Sequence, residues 1–122
     1  MDELIDRLAA KAGIDKAVAE NTVGAILGFL RKEGPPAQVQ ALIDSLPGAE
    51  TVIDRAGPSG GGLAGMFGGG VMALGAKLMG FGLGMGDIKT VGGELFRFGR
   101  DKIGTDGMNA IIAETPGLSQ FA

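Results

Sequence analysis

A chain of 122 residues with 45% hydrophobic and 20% charged side chains has room for one compact domain and is too apolar to read as disordered. It contains neither Cys nor His, which excludes disulfides, thiol nucleophiles and thiolate or imidazole metal sites and removes the commonest general base. Its 11 basic and 14 acidic residues are interleaved, and a net charge of −3 with a pI near 4.8 argues against binding a phosphate backbone.

Residues 2–12 set Leu4, Ile5, Leu8, Ala9 and Ala12 at helical spacing, with acids in the first turn where the helix dipole favours them. This acidic start lacks the positive and apolar regions of a signal peptide, so a cytoplasmic location is expected. Gly13 stops the helix. Asp15 is placed to cap a second one, with Ile14 as a hydrophobic staple, and that helix runs to about Glu33. Val18, Val23, Ile26, Leu27 and Leu30 make its apolar face. Gly34-Pro35-Pro36 ends it and opens a third helix, because Pro is tolerated in a first turn. Val39, Leu42, Ile43 and Leu46 are its stripe. Pro47-Gly48 breaks it, and one or two further turns follow over 49–55.

Composition then changes. Gly is 24 of 122 residues, and 13 of these fall between Gly57 and Gly86, so the excess belongs to one segment. Gly57 to Gly62 reads as a joint, and Leu63 to Gly86 is apolar except for Lys77. Its nine glycines would cost a free helix roughly 8 kcal/mol in water relative to Ala. That cost must be met by close packing, by lipid, or by not being helical. Asp87 is a candidate cap for a helix carrying Ile88, Val91, Leu95, Phe96 and Phe98. Gly104 turns into a short helix with Met108, Ile111 and Ile112, and Pro116-Gly117 breaks that one.

Laying 23–53 on 92–122, 69 positions on, reveals a repeat. Gly24, Phe29, Arg31, Ala41, Ile43, Pro47 and Gly48 meet identical residues, seven in 31 positions. Chance at these compositions would give about two. Apolar character matches at Ile26/Leu95, Leu27/Phe96, Val39/Met108, Leu42/Ile111 and Val52/Phe121, and Gly13-Ile14 falls on Gly82-Leu83 further upstream. One echo, Thr22-Val23-Gly24 with Thr90-Val91-Gly92, fits an offset of 68; 69 keeps the apolar faces and both Pro-Gly breaks in register. Repeated units commonly pack together because neither buries its apolar face alone.

A glycine-rich stretch, a helix with Phe near its end, a Gly turn, a short helix and Pro-Gly succeed one another over 74–121. This pattern, from Leu74-Gly75-Ala76-Lys77-Leu78 through Pro116-Gly117-Leu118, resembles small bacterial proteins of the VcgC/VcgE type and, more distantly, the YidB-like proteins. Residues 4–53 look like an earlier copy. Thr115 stands where the family pattern favours an apolar residue. The resemblance implies a helical fold and carries no activity, catalytic residue or cofactor.

Carboxylates are the only plentiful reactive groups, and they fall at caps and on polar faces, Glu94 coming nearest to an apolar one. Gly80-Phe81-Gly82-Leu83-Gly84-Met85-Gly86 lacks the Gly-Lys-Ser/Thr ending and the Gly-x-Gly-x-x-Gly spacing of nucleotide loops. No catalytic, metal or cofactor site is expected. Glycines at 57, 61, 65 and 69 and small residues at 76, 80 and 84 have the spacing that lets helices approach closely. Gly61, Gly65, Met66, Phe67, Gly69, Met72, Gly80, Phe81 and Gly84 are therefore the candidate contact residues.

The expectation is an all-α protein with an N-terminal helical motif (1–56), a glycine-rich apolar segment (57–86) and a C-terminal motif (87–122). Its expected role is that of a non-enzymatic interaction or structural protein, a homo-oligomer self-associating through the middle segment, with no nucleic acid. Membrane contact through 57–86 is one alternative. An apolar small molecule or lipid held between Met- and Phe-lined helices is another.

Overall fold

The computed structural model describes residues 2–56 and 70–115, and all of its regular structure is helical. The elements are α1 (Asp2–Ala12), α2 (Lys16–Glu33), α3 (Pro36–Ser45), α4 (Ala49–Ala56), α5 (Gly70–Gly80) and α6 (Met85–Glu114). A non-helical glycine, Gly104 at φ 88° and ψ 161°, breaks α6 into two helices end to end, as the sequence suggests.

The core is organised around α2, which packs against every other described helix. Ala19, Thr22 to Leu27, Phe29 and Leu30 are all buried, so burial reaches well beyond the single stripe read from the sequence. A helix apolar nearly all round is stable only when neighbours cover it. Each fully buried Leu or Phe contributes about 1.5–3 kcal/mol. The one polar side chain among them, Thr22, donates its hydroxyl to the Val18 carbonyl at 2.7 Å, so its burial leaves no unmet hydrogen bond.

On one side α1 lays Leu4, Ile5 and Leu8 against α2 and α6. α3 packs Val39, Leu42 and Ile43 against α2 and α6, and α4 packs Ala49, Val52 and Ile53 chiefly against α2. Arg31 and Glu50 link α2 to α4 across 2.7 Å, an exposed pair worth no more than about 1 kcal/mol. α5 is helical despite glycines at 70, 75 and 80, which cost roughly 2–3 kcal/mol against Ala. Leu74 and Leu78 offset this by burying one turn apart, with α5 lying on α2 and α6.

Both αα corners have the same construction. Gly13 (φ 67°) and Gly82 (φ 96°) adopt the left-handed conformation that a β-carbon disfavours. The next residue in each case donates back across the turn: Ile14 N–H to Ala9 O at 3.1 Å and Leu83 N–H to Leu78 O at 3.3 Å. The correspondence at 69 positions extends to helix ends: Lys16 and Met85 open helices, and Ser45 and Glu114 close them. It extends to burial as well. Ile26 and Leu95, Leu27 and Phe96, Phe29 and Phe98, Val39 and Met108, and Leu42 and Ile111 are buried at matched positions. So are Leu46 and Thr115. The match lapses at Gly24 and Ala25, buried on central α2, against the exposed Gly93 and half-buried Glu94 on peripheral α6.

Two expected caps differ from the structure. Asp15 holds the N-cap position of α2 in extended backbone, but its side chain makes no capping hydrogen bond. Asp87 is not the cap of α6; Gly84 is, and Asp87 sits inside the first turn, accepting the Gly84 N–H at 3.3 Å. A glycine cap has no side-chain oxygen to reveal it in the sequence.

Candidate functional site

The α5–α6 corner holds the described part of the candidate contact segment. Gly61, Gly65, Met66, Phe67 and Gly69 lie outside the described residues, and Met72 lies within the backbone of α5. Gly80, Phe81 and Gly84 come together around the turn between the two helices. Gly80 is exposed with open space where a β-carbon would be, and Phe81 packs half-buried on the rim of the core. Gly84 is exposed, and its carbonyl accepts the Ile88 N–H at 3.0 Å.

Two neighbours that the sequence reading left out of the site complete the corner. Met79 is 49% and Met85 61% exposed, and they are the large apolar side chains most open to solvent among the described residues. The signal for Met79 was present: Leu74 and Leu78 fix the core face of α5, and the residue after Leu78 must then point away. Met85 could be found only by knowing that it, rather than Asp87, begins near the start of α6.

The matched surface of α1 is quite different. Its outer face carries Glu3, Asp6, Arg7 and Lys11, and it is tied by Arg7–Glu3 at 3.9 Å and Lys16–Asp6 at 2.9 Å. At the places matching Asp6, Arg7, Lys11 and Lys16, the second corner has Gly75, Ala76, Gly80 and Met85. One corner is a solvated ionic surface. At the matched places the other is uncharged, Lys77 and Asp87 lying elsewhere on it.

Lys77 is the exception on α5. It occupies the place matching the fully buried Leu8, and desolvation by partial burial holds its ammonium below the usual lysine range. A lysine at such a place can lay its aliphatic stem on apolar surface and keep its charged end in water.

Elsewhere two polar side chains are covered and paired at the core's edge. The Glu94 side chain is largely covered, with Oε1 3.9 Å from Arg97 Nη1. Thr115 is buried, and its hydroxyl donates to the Ile111 carbonyl at 2.6 Å, which accommodates a polar residue at an otherwise apolar position. Every buried side-chain nitrogen or oxygen among the described residues has a hydrogen-bond partner, and no three carboxylates there converge as metal ligands would. No helix among the described residues is long and apolar enough to cross a membrane.

The chain matches no family model, no curated protein and no solved structure. What the structure itself shows is an all-α protein whose second αα corner exposes Met79 and Met85.

Proposed function

We propose that this is a non-enzymatic interaction protein, built from two related helical units, that associates with a second copy of itself through the outer face of α5. The observation that carries the reading is the uncharged surface formed by Gly75, Ala76, Met79 and Gly80. Its counterpart on α1 is charged, so the fold itself does not require an apolar surface there. Small residues flanking Met79 let another helix approach closely, and burial of the rest of a half-exposed Met side chain is worth about 1 kcal/mol.

The test is the solution mass by light scattering after gel filtration, for the wild type and for Met79→Asp. An oligomer that dissociates on this substitution supports the reading. A monomeric wild type, or an oligomer indifferent to the charge, sinks it.

A further inference from the structure

Along the chain the charges of α6 alternate, but around the helix three of the four bases before Gly104 gather on one side, Lys102 lying apart over the Phe98 ring. At 3.6 residues per turn, Met85, Lys89, Gly93, Arg97 and Arg100 fall within an arc of roughly 120°. All five are exposed. Asp87, Glu94 and Asp101 recur every seven residues along a line that borders the arc, roughly 40–80° beyond Arg97. Neither Lys89 nor Arg100 has an ionic partner among the described residues, and Arg97 has only the 3.9 Å approach of Glu94. An acidic protein thus carries on one helix a band about 23 Å long that opens on an exposed methionine and holds its three bases within roughly the last 17 Å. The matched positions of α2 are Lys16, Glu20, the buried Gly24, Gly28 and Arg31, so the band belongs to one unit alone.

We propose that this face of α6 docks on a bilayer surface bearing anionic headgroups. The charge is complementary to such a surface, and the band is straight, as a helix lying in the interface requires. Met85 supplies an apolar side chain able to enter the headgroup region beside Lys89. Gly86 and Gly93, both with open space at the β-carbon, let the backbone lie close to the surface. A nucleic acid fits less well, because single strands are held by stacking on aromatic rings and Phe96 and Phe98 are buried. The contact is peripheral. It uses α6, so it is separate from self-association through α5.

The test is flotation of the full chain with vesicles of phosphatidylcholine alone and with phosphatidylglycerol added. Binding is expected only to the anionic vesicles at low salt, with loss at roughly 0.5 M salt, where screening is short-ranged. Lys89→Gln/Arg97→Gln/Arg100→Gln should weaken partitioning about a hundredfold, as three surface charges would. Met85→Ser should weaken it roughly tenfold. Lys11→Gln, away from the band, should leave it unchanged, and thermal melts of all variants verify that they fold. Absence of flotation with anionic vesicles overturns the proposal. So does flotation indifferent to the triple substitution, or equal affinity for heparin that ignores Met85→Ser, which would indicate a general polyanion site. The oligomer mass is read separately, so failure here leaves self-association standing.

Discussion

Two glycines on α6 differ only in what lies beside them, and replacing each with alanine should move stability in opposite directions. Gly93 is exposed, and an added β-carbon would meet nothing within 4 Å. Alanine there gains helix propensity of about 0.8–1 kcal/mol. Gly99 is buried, facing Met108 from beyond the Gly104 kink and Leu42 of α3. A β-carbon there would lie 2.6 Å from Met108 Sδ and 3.3 Å from Leu42 Cδ1. The same propensity gain is then opposed by overpacking of about 1–3 kcal/mol. Gly99→Ala should be neutral to about 2 kcal/mol destabilising. For a chain of this length 1 kcal/mol corresponds to about 4 °C in melting temperature, so circular dichroism melts separate the two variants easily. In a Met108→Ala background the 2.6 Å clash is gone and only the 3.3 Å approach to Leu42 Cδ1 remains, so Gly99→Ala should cost less than in the wild type, though not gain as much as Gly93→Ala. If Gly99→Ala stabilises the wild-type background as much as Gly93→Ala does, the packing of α6 on itself and on α3 is wrong.

Gly13→Ala and Gly82→Ala should each cost roughly 1–2 kcal/mol in urea unfolding, because both force a β-carbon into left-handed backbone. A neutral result at either would contradict the matched corners. Leu27→Ala should be the most damaging of these changes, at about 2–5 kcal/mol, since this side chain is fully buried in the central helix. Lys77→Met should raise stability at neutral pH by up to about 0.5 kcal/mol. The folded-state pKa of Lys77 lies below its unfolded value, so the unfolded chain binds more protons between the two. The wild type therefore regains stability as pH rises through that window. The advantage of Lys77→Met should shrink towards the unfolded lysine value, and an advantage that grew with pH would reverse the argument.

Much of the fold is legible where backbone chemistry marks it. Gly13, Pro35-Pro36, Pro47 and Gly104 punctuate the helices as expected, and the stripe Val39, Leu42, Ile43 and Leu46 is buried in full. The stripe of α2 is harder to read. Ala19, Gly24, Ala25 and Phe29 are buried because α2 is central, a fact of tertiary packing that one helix's periodicity does not carry. Val18, read as part of the stripe, is half-buried at its edge. Burial does not choose between the two offsets: in the echo at 68 positions Val23 and Gly24 are buried like Val91 and Gly92 and only Thr22 differs from Thr90, whereas the helix ends agree at 69.

The site is less legible. Glycine spacing drew attention to the middle segment, yet five of its nine candidates lie outside the described residues. The distinctive features of the corner are Met79 and Met85, both exposed by the directions of the helices rather than by any motif. The basic band was hidden by the interleaving of charges in sequence, and only the helical turn gathers Lys89, Arg97 and Arg100 on one side.

Self-association through α5 is tested most directly by light scattering of the full chain after gel filtration, at tens of micromolar protein. The proposal predicts a mass at least twice the 12.3 kDa of one chain, falling to that of a monomer for Met79→Asp with the fold intact. A wild type that elutes at 12.3 kDa, or an oligomer that Met79→Asp leaves unchanged, would contradict it.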